Sequence, residues 1–419
     1  MKRTLILLLL FTATFGYSQV SSVTLEDCYR LARENYPRLT DSRRQQEISD
    51  LKLKNIGTVW NPQLVLNGQA TYQSDVTKVN ISVPGVNFAQ PPNDQFKAYL
   101  DLKQTIYDGG SAKANSMLEK SALAADQQNL EVEIYALHEK VNQLYFTILL
   151  MIENETVMKL KLAVLDERIR VMESAYRNGT VTSRDLDLLK ADRLLTNQQI
   201  GEIHAERISG LGALGILTSQ ALDENTVLAE PVITAKMDSV LRPELRYFDL
   251  LGNKIDQNSQ LLQKSRNPRV FGFGQAGYGR PGLNMLKNTL DSYYLVGLGV
   301  SWNITDWKQT GRSRQILEVQ KQMIGSQRAT FDQSLSISLL RANEAIKKTE
   351  ELLKIDDELV VLRKSIAEHA ASQLQNGTIT SADYIVDLNA VTQAAINKRS
   401  HKVQLYQAIA NYNTIAGKP

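Results

Sequence analysis

The chain has 419 residues and a formal net charge of +3, enough length for two ordinary domains or one duplicated, elongated one. A balance so close to neutral provides no basic field to attract nucleic acid. With 43% hydrophobic residues and a mean hydropathy of -0.26, the body is too polar for a bundle of membrane-spanning helices.

Lys2 and Arg3 precede an apolar run from Leu5 to Phe15, followed by Gly16, Tyr17 and Ser18 ahead of Gln19. This predicts a secretory signal peptide over residues 1–18, with small residues at the -3 and -1 positions. No other stretch approaches the roughly 20 apolar residues of a spanning helix. Insertion into a membrane would therefore have to use strands. The single cysteine, Cys28, has no internal disulfide partner and is expected to be buried on a helix.

From Thr24 to Val59 the pattern is helical, broken at Pro37. Asn61-Pro62 stops it, and alternation begins: Leu64, Leu66, Gly68, Ala70 and Tyr72 oppose Gln63, Asn67, Gln69 and Thr71. A loop containing Pro84, Pro91 and Pro92 leads to a second run, with Phe96, Ala98, Leu100 and Leu102 opposite Lys97, Tyr99, Asp101 and Lys103. Period-two alternation predicts strands with one apolar and one polar face. After Asp108-Gly109-Gly110, residues 111–177 contain no proline or glycine. They predict one helix roughly 100 Å long at 1.5 Å per residue. Asn178-Gly179 supplies the left-handed conformation that ends a helix. Thr182 or Ser183 can cap a return helix running to about Leu217.

Residues from about Thr218 to Leu241 read as a connector, after which the pattern restarts. Arg242-Pro243-Glu244-Leu245, Asn267-Pro268 and Gly274-Gln275-Ala276 match Tyr36-Pro37-Arg38-Leu39, Asn61-Pro62 and Gly68-Gln69-Ala70 at an offset of 206. The apolar face Val296, Leu298, Val300, Trp302 and Ile304 aligns at 198, as does Asn376-Gly377-Thr378 with Asn178-Gly179-Thr180. The change of offset places a length difference in the strand-to-strand loop, where such variation belongs. A second long helix is expected from about Gln309 to Gln375, and its partner from about Ser381 to Ala416. The expected organisation is a signal peptide over 1–18, a first repeat over 19–217, a connector over 218–241, a second repeat over 242–416 and a tail over 417–419. A repeat this long is a duplicated domain, since solenoid units are shorter.

Four amphipathic strands cannot close a barrel alone, and open edges are not tolerated in lipid. Three chains would bring about twelve strands, an even number within the range of outer-membrane barrels. Tyr72, Tyr99, Tyr107, Tyr278, Tyr293, Tyr294, Trp302 and Trp307 lie at or near the strands, as sheet packing or as interfacial girdles. Asp185 and Asp383 at the hairpin tips either stabilise a helix N-terminus or line a constriction.

Gly272-Phe273-Gly274-Gln275-Ala276-Gly277 has the spacing of a dinucleotide fingerprint, but that motif needs a following helix to receive the pyrophosphate. Tyr278-Gly279-Arg280-Pro281 follows instead. His138, His204, His369 and His401 are dispersed, with no pairing suited to zinc. No nucleophile elbow or cysteine–histidine pair supports catalysis. The expectation is therefore no enzyme, no cofactor and no metal site.

The order and duplication of these motifs resemble the TolC-like outer-membrane efflux proteins over nearly all of the chain beyond residue 18. The residues carrying the likeness are Gln104-Thr105-Ile106-Tyr107-Asp108-Gly109-Gly110, Trp302-Asn303-Ile304-Thr305-Asp306, Arg242-Pro243-Glu244-Leu245 and the two Asn-Gly-Thr tips. The resemblance implies a mainly α fold with a small β part, in which three chains form a transmembrane β-barrel of four strands each, fused to a helical barrel. It implies a homotrimer in the outer membrane of a Gram-negative envelope with a long periplasmic extension. The implied role is the exit duct of a tripartite efflux or type I secretion system. Its partners would be outer-membrane lipid, a periplasmic adaptor (membrane fusion) protein and an inner-membrane pump of the RND or ABC type. By position, adaptor contact falls to Gly179, Thr180, Ser183, Gly377, Thr378 and Ser381. The periplasmic gate falls to Asp383, with Asp387 and Asp185 as further candidates. Val386 stands where relatives carry a second acid. The alternative is an exported coiled-coil scaffold or adhesin without channel activity.

Overall fold

A computed structural model of the chain describes residues 22–77, 90–236, 239–285 and 288–418. The expected signal peptide and Pro84 lie outside the described residues. In chain order the elements are α1 (Leu25–Glu34), α2 (Asp41–Gly57), β1 (Gln63–Tyr72), β2 (Asp94–Tyr107), α3 (Ser111–Tyr135), α4 (Leu137–Arg177) and α5 (Ser183–Thr218). Then follow α6 (Pro243–Lys264), β3 (Arg269–Arg280), β4 (Asp291–Ser301), α7 (Gln309–Gln375) and α8 (Ser381–Ala416). Mainly helical, with one small antiparallel sheet, the chain divides into two compact units. One takes residues through Leu39 with 133–242 and 334–419, the other 40–132 with 243–333.

The first unit is a helical bundle with two apolar clusters. One joins Leu25 and Cys28 of α1 to Val141, Tyr145 and Phe146 of α4, Leu211 and Leu214 of α5, and Val403 of α8. The other joins Leu165, Ile169 and Met172 of α4 to Leu186 and Leu189 of α5 and Tyr384 and Leu388 of α8, with Leu374 of α7. Cys28 is wholly buried, as its sequence context predicts, and burial pushes its thiol up to about 12. Thr24 caps α1 by accepting from the Asp27 amide at 3.1 Å. Just before it, Val23 pairs with Leu228, and the Tyr145 hydroxyl donates to the Val23 carbonyl at 3.0 Å. Between α4 and α5, buried Lys161 and Asp192 form an ion pair at 3.1 Å. Charges so placed need a partner, because desolvation of either alone is costly.

The helix expected as one piece over 111–177 is two, α3 and α4, separated at Ala136. Nδ1 of the His138 ring lies 2.8 Å from the Tyr135 carbonyl and competes for an acceptor of the helical ladder. Tyr29 and Tyr135 flank that ring at 4.6 and 4.8 Å, and burial lowers its pKa.

The second unit holds a four-stranded antiparallel sheet in the order β1-β2-β3-β4. β3 runs straight through Gly272–Gly277 and is followed by β4, so the glycine-spaced stretch opens no helix. β4 ends at Ser301, short of Trp302 and Ile304, which the alternation had included. Asp108 and Asp306 close the strand-to-helix elbows. Asp108 accepts from the Gly110 and Ala112 amides, and Asp306 accepts from those of Lys308 and Thr310 at 3.1 Å. The turn that uses Gly109 and Gly110 at positive φ in the first elbow uses Trp307 (φ 49) and Lys308 (φ 61) in the second.

Candidate functional site

The helical tips are built alike. Gly179 and Gly377 have φ of +72 and +71, the left-handed region that L side chains avoid. That turn lets Thr180 and Thr378 donate their amides back to Ala175 and Gln373 at 3.0 and 2.9 Å. Their hydroxyls donate to the same carbonyls, so each chain reversal satisfies acceptors at the end of its helix. Thr182 and Thr380 then cap α5 and α8, accepting from the Asp185 and Asp383 amides at 3.2 Å. Gly179, Thr180, Ser183, Gly377 and Thr378 are exposed.

The acids separate the two tips. Asp383 turns back on its own cap, accepting from the Thr380 amide at 3.0 Å and hydroxyl at 2.6 Å. Those two bonds hold its carboxyl below the usual carboxylate range. Asp185 accepts from the Thr182 hydroxyl at 2.5 Å and also reaches the Ser381 amide at 3.3 Å. The Thr182 hydroxyl first, then the Ser381 amide, hold it low. Ser381 is buried there, so its side chain is not presented with the other tip residues. Asp387 is half-buried one turn past Asp383, and Val386 is exposed. The Asp185–Ser381 contact joins residues 196 positions apart, and no local sequence signal announces it.

The sheet presents two unlike faces. From the pairing register, Leu64, Leu66, Leu100, Leu102, Val296, Leu298 and Val300 share one face, and all are exposed. Lys97, Asp101, Lys103, Gln275 and the Phe271–Phe273 pair share the other. Tyr72, Tyr278 and Tyr294 lie on the apolar face toward the strand-to-strand loops, whereas Tyr99 and Tyr293 are on the polar face. No described helix is long and apolar enough to cross a membrane.

The exposed apolar sheet, the long helical hairpins and the capped tips make up a fold that this chain shares with solved outer membrane channels. The chain aligns with the outer membrane protein VceC of Vibrio cholerae at 16% identity, covering 94% of this chain and 96% of that one, TM-score 0.68. It aligns with the CmeC outer membrane channel of Campylobacter jejuni at 18% identity, 94% and 85% coverage, TM-score 0.66. The open state of the MtrE outer membrane channel of Neisseria gonorrhoeae gives 15% identity, 94% and 89% coverage, TM-score 0.64. No curated protein sequence matches the chain significantly. Residues 28–207 match the family model of the outer membrane efflux protein. That segment runs from within α1 to within α5, and both findings accord with an outer-membrane location.

Proposed function

We propose that the chain is the outer-membrane exit duct of a tripartite efflux or type I secretion system. The observation that carries this reading is the sheet: one face apolar and exposed, the other polar, with the outer edges of β1 and β4 unpaired within the chain. In lipid such a sheet is stable only if its edges close. Three copies close it into a barrel of about twelve strands, apolar face to lipid and polar face to the lumen. Tyr72, Tyr278 and Tyr294 then sit at one interface and Trp302 near the other.

The long hairpins extend the duct through the periplasm. At their tips Gly179, Thr180, Ser183, Gly377 and Thr378 meet a periplasmic adaptor, with Ser381 supporting them from within. Asp185, Asp383 and Asp387 border the inner mouth. The duct is a passive conduit and not an enzyme, and an inner-membrane pump of the RND or ABC type supplies the energy. Imaging single particles of the detergent-extracted protein tests the reading. A threefold particle with a barrel and a helical tube is the expected result; a monomeric rod would instead support the scaffold alternative.

A further inference from the structure

Where the chain leaves α6 and enters α7, the apolar face of the sheet gives way to a cationic groove. Trp302 follows Val300 by two residues and Ile304 follows Trp302 by two, so both continue the row of Val296, Leu298 and Val300. Both are exposed. They line a groove of about 390 Å³ together with Gln263, Arg266, Asn267 and Arg314. The Trp302 indole donates to the Arg266 carbonyl at 3.1 Å, which fastens the ring to the segment that carries this arginine. No described carboxylate lines the groove. The partners of Arg314 are neutral: its Nε donates to the Ser259 hydroxyl at 3.2 Å, and Gln263, with its amide oxygen turned toward the guanidinium, accepts at 3.0 and 3.1 Å. Arg266 stands 3.7 Å from Asp306, but the oxygens of that carboxylate already accept the Lys308 and Thr310 amides. The groove therefore carries more positive charge than its surroundings offset.

The shared elbow does not require this arrangement. The offsets of 206 and 198 carry Arg266, Trp302 and Arg314 back to Trp60, Gln104 and Ser116. Lys113, at the place of Gly311, is the cation found there, and the first elbow turns without an arginine pair.

We propose that the groove binds the phosphate of an anionic glycerophospholipid in the leaflet facing the periplasm. The inference rests on the proposed placement of the sheet in the outer membrane and adds a lipid site to it. In that placement the order of side chains along the sheet matches the order of groups along a phospholipid. Exposed Leu298 and Val300 meet the acyl chains, Trp302 stands at the glycerol level favoured by indole rings, and Arg266 and Arg314 lie beyond it at the phosphates. A guanidinium presents two parallel N–H donors to a phosphate, and basic pockets at the base of membrane segments suit anionic head groups. Free phosphate would use the arginines alone, whereas a lipid also uses the indole and the apolar row, which is why the lipid is the favoured occupant.

Native mass spectrometry of the full-length, detergent-extracted protein, with dioleoylphosphatidylglycerol added to the micelles, tests the site. The expected result is lipid retained on the wild type and several-fold less on Arg266→Gln combined with Arg314→Gln. Lys113→Gln, at the matching place in the first repeat, should retain as much as the wild type. Arg314→Gln alone, which leaves the Asp306 elbow untouched, carries the test if the double variant fails to fold. Equal retention by the wild type and the arginine variant overturns the site. Retention that persists in excess inorganic phosphate supports the phospholipid, and lipid stripped by equimolar phosphate overturns it in favour of a free-phosphate site. A monomeric rod that still holds lipid through the arginines would sink the duct and keep the groove. A threefold particle whose lipid is indifferent to both arginines would keep the duct and sink the groove.

Discussion

The two helical tips share a sequence, a left-handed glycine and a threonine cap, yet their acids do different things. Asp383 completes a capping box with Thr380, while Asp185 spends one oxygen on its own cap and the other on the Ser381 amide. Local sequence therefore sets the turn and the cap, and what lies beside the tip sets the acid's second bond. The first tip's acid finds its second donor within the chain, in the Ser381 amide of the other tip.

The largest expected disturbance of this pairing comes from beneath the caps, where Leu186 and Tyr384 occupy equivalent positions. Tyr384 is 2% exposed and has the Arg168 guanidinium over its ring at 5.1 Å. Tyr384→Ala should cost about 3–5 kcal/mol and Leu186→Ala about 2–5 kcal/mol, read as lower urea midpoints. Equal losses would mean that Tyr384 packs no more tightly than its counterpart. Next come the glycines. Gly179→Ala and Gly377→Ala place a side chain at positive φ and should each cost about 1–2 kcal/mol, by the same amount at both tips.

Thr182→Ala and Thr380→Ala should each cost about 1 kcal/mol as lost caps. Here the tips should diverge: Thr182→Ala also weakens the hold on Asp185, so a broad-specificity protease such as proteinase K should cut near both tips, whereas Thr380→Ala should expose the second tip alone. The smallest effect is that of acid. Both carboxyls sit below the ordinary aspartate value of 3.8, so the stability they contribute is present above that value and declines as pH falls through the folded one. The difference in thermal midpoint between wild type and Asp185→Asn should accordingly vanish in strong acid. A difference that persists there would assign the effect to packing and leave charge out of it.

Much of this was legible because it is local. Strands announce themselves by period-two alternation, so β1 and β2 lie where Leu64–Tyr72 and Phe96–Lys103 alternate. The tips were legible because Asn-Gly turns and threonine caps act within a few residues. What escaped depends on partners far away in sequence or on side-chain competition. β4 ends at Ser301 because its pairing partner β3 begins only at Arg269, just past Pro268, which has no amide to donate. The break at Ala136 follows from one imidazole beside one carbonyl, in a stretch free of proline and glycine. The second elbow carries Trp307 and Lys308 at positive φ, so the glycine that marks such a turn in the first elbow is missing from the second. The Asp185–Ser381 bond joins two segments whose only common signal is that they repeat each other.

The sealed thiol of Cys28 has a practical consequence for chemical labelling. A sulfhydryl that is wholly enclosed and titrates near 12 holds almost no thiolate at neutral pH, and thiolate is the form that attacks alkylating reagents. The native chain should thus behave as though it had no cysteine, and any fluorophore, spin label or bridge attached to an engineered site reports on that site alone.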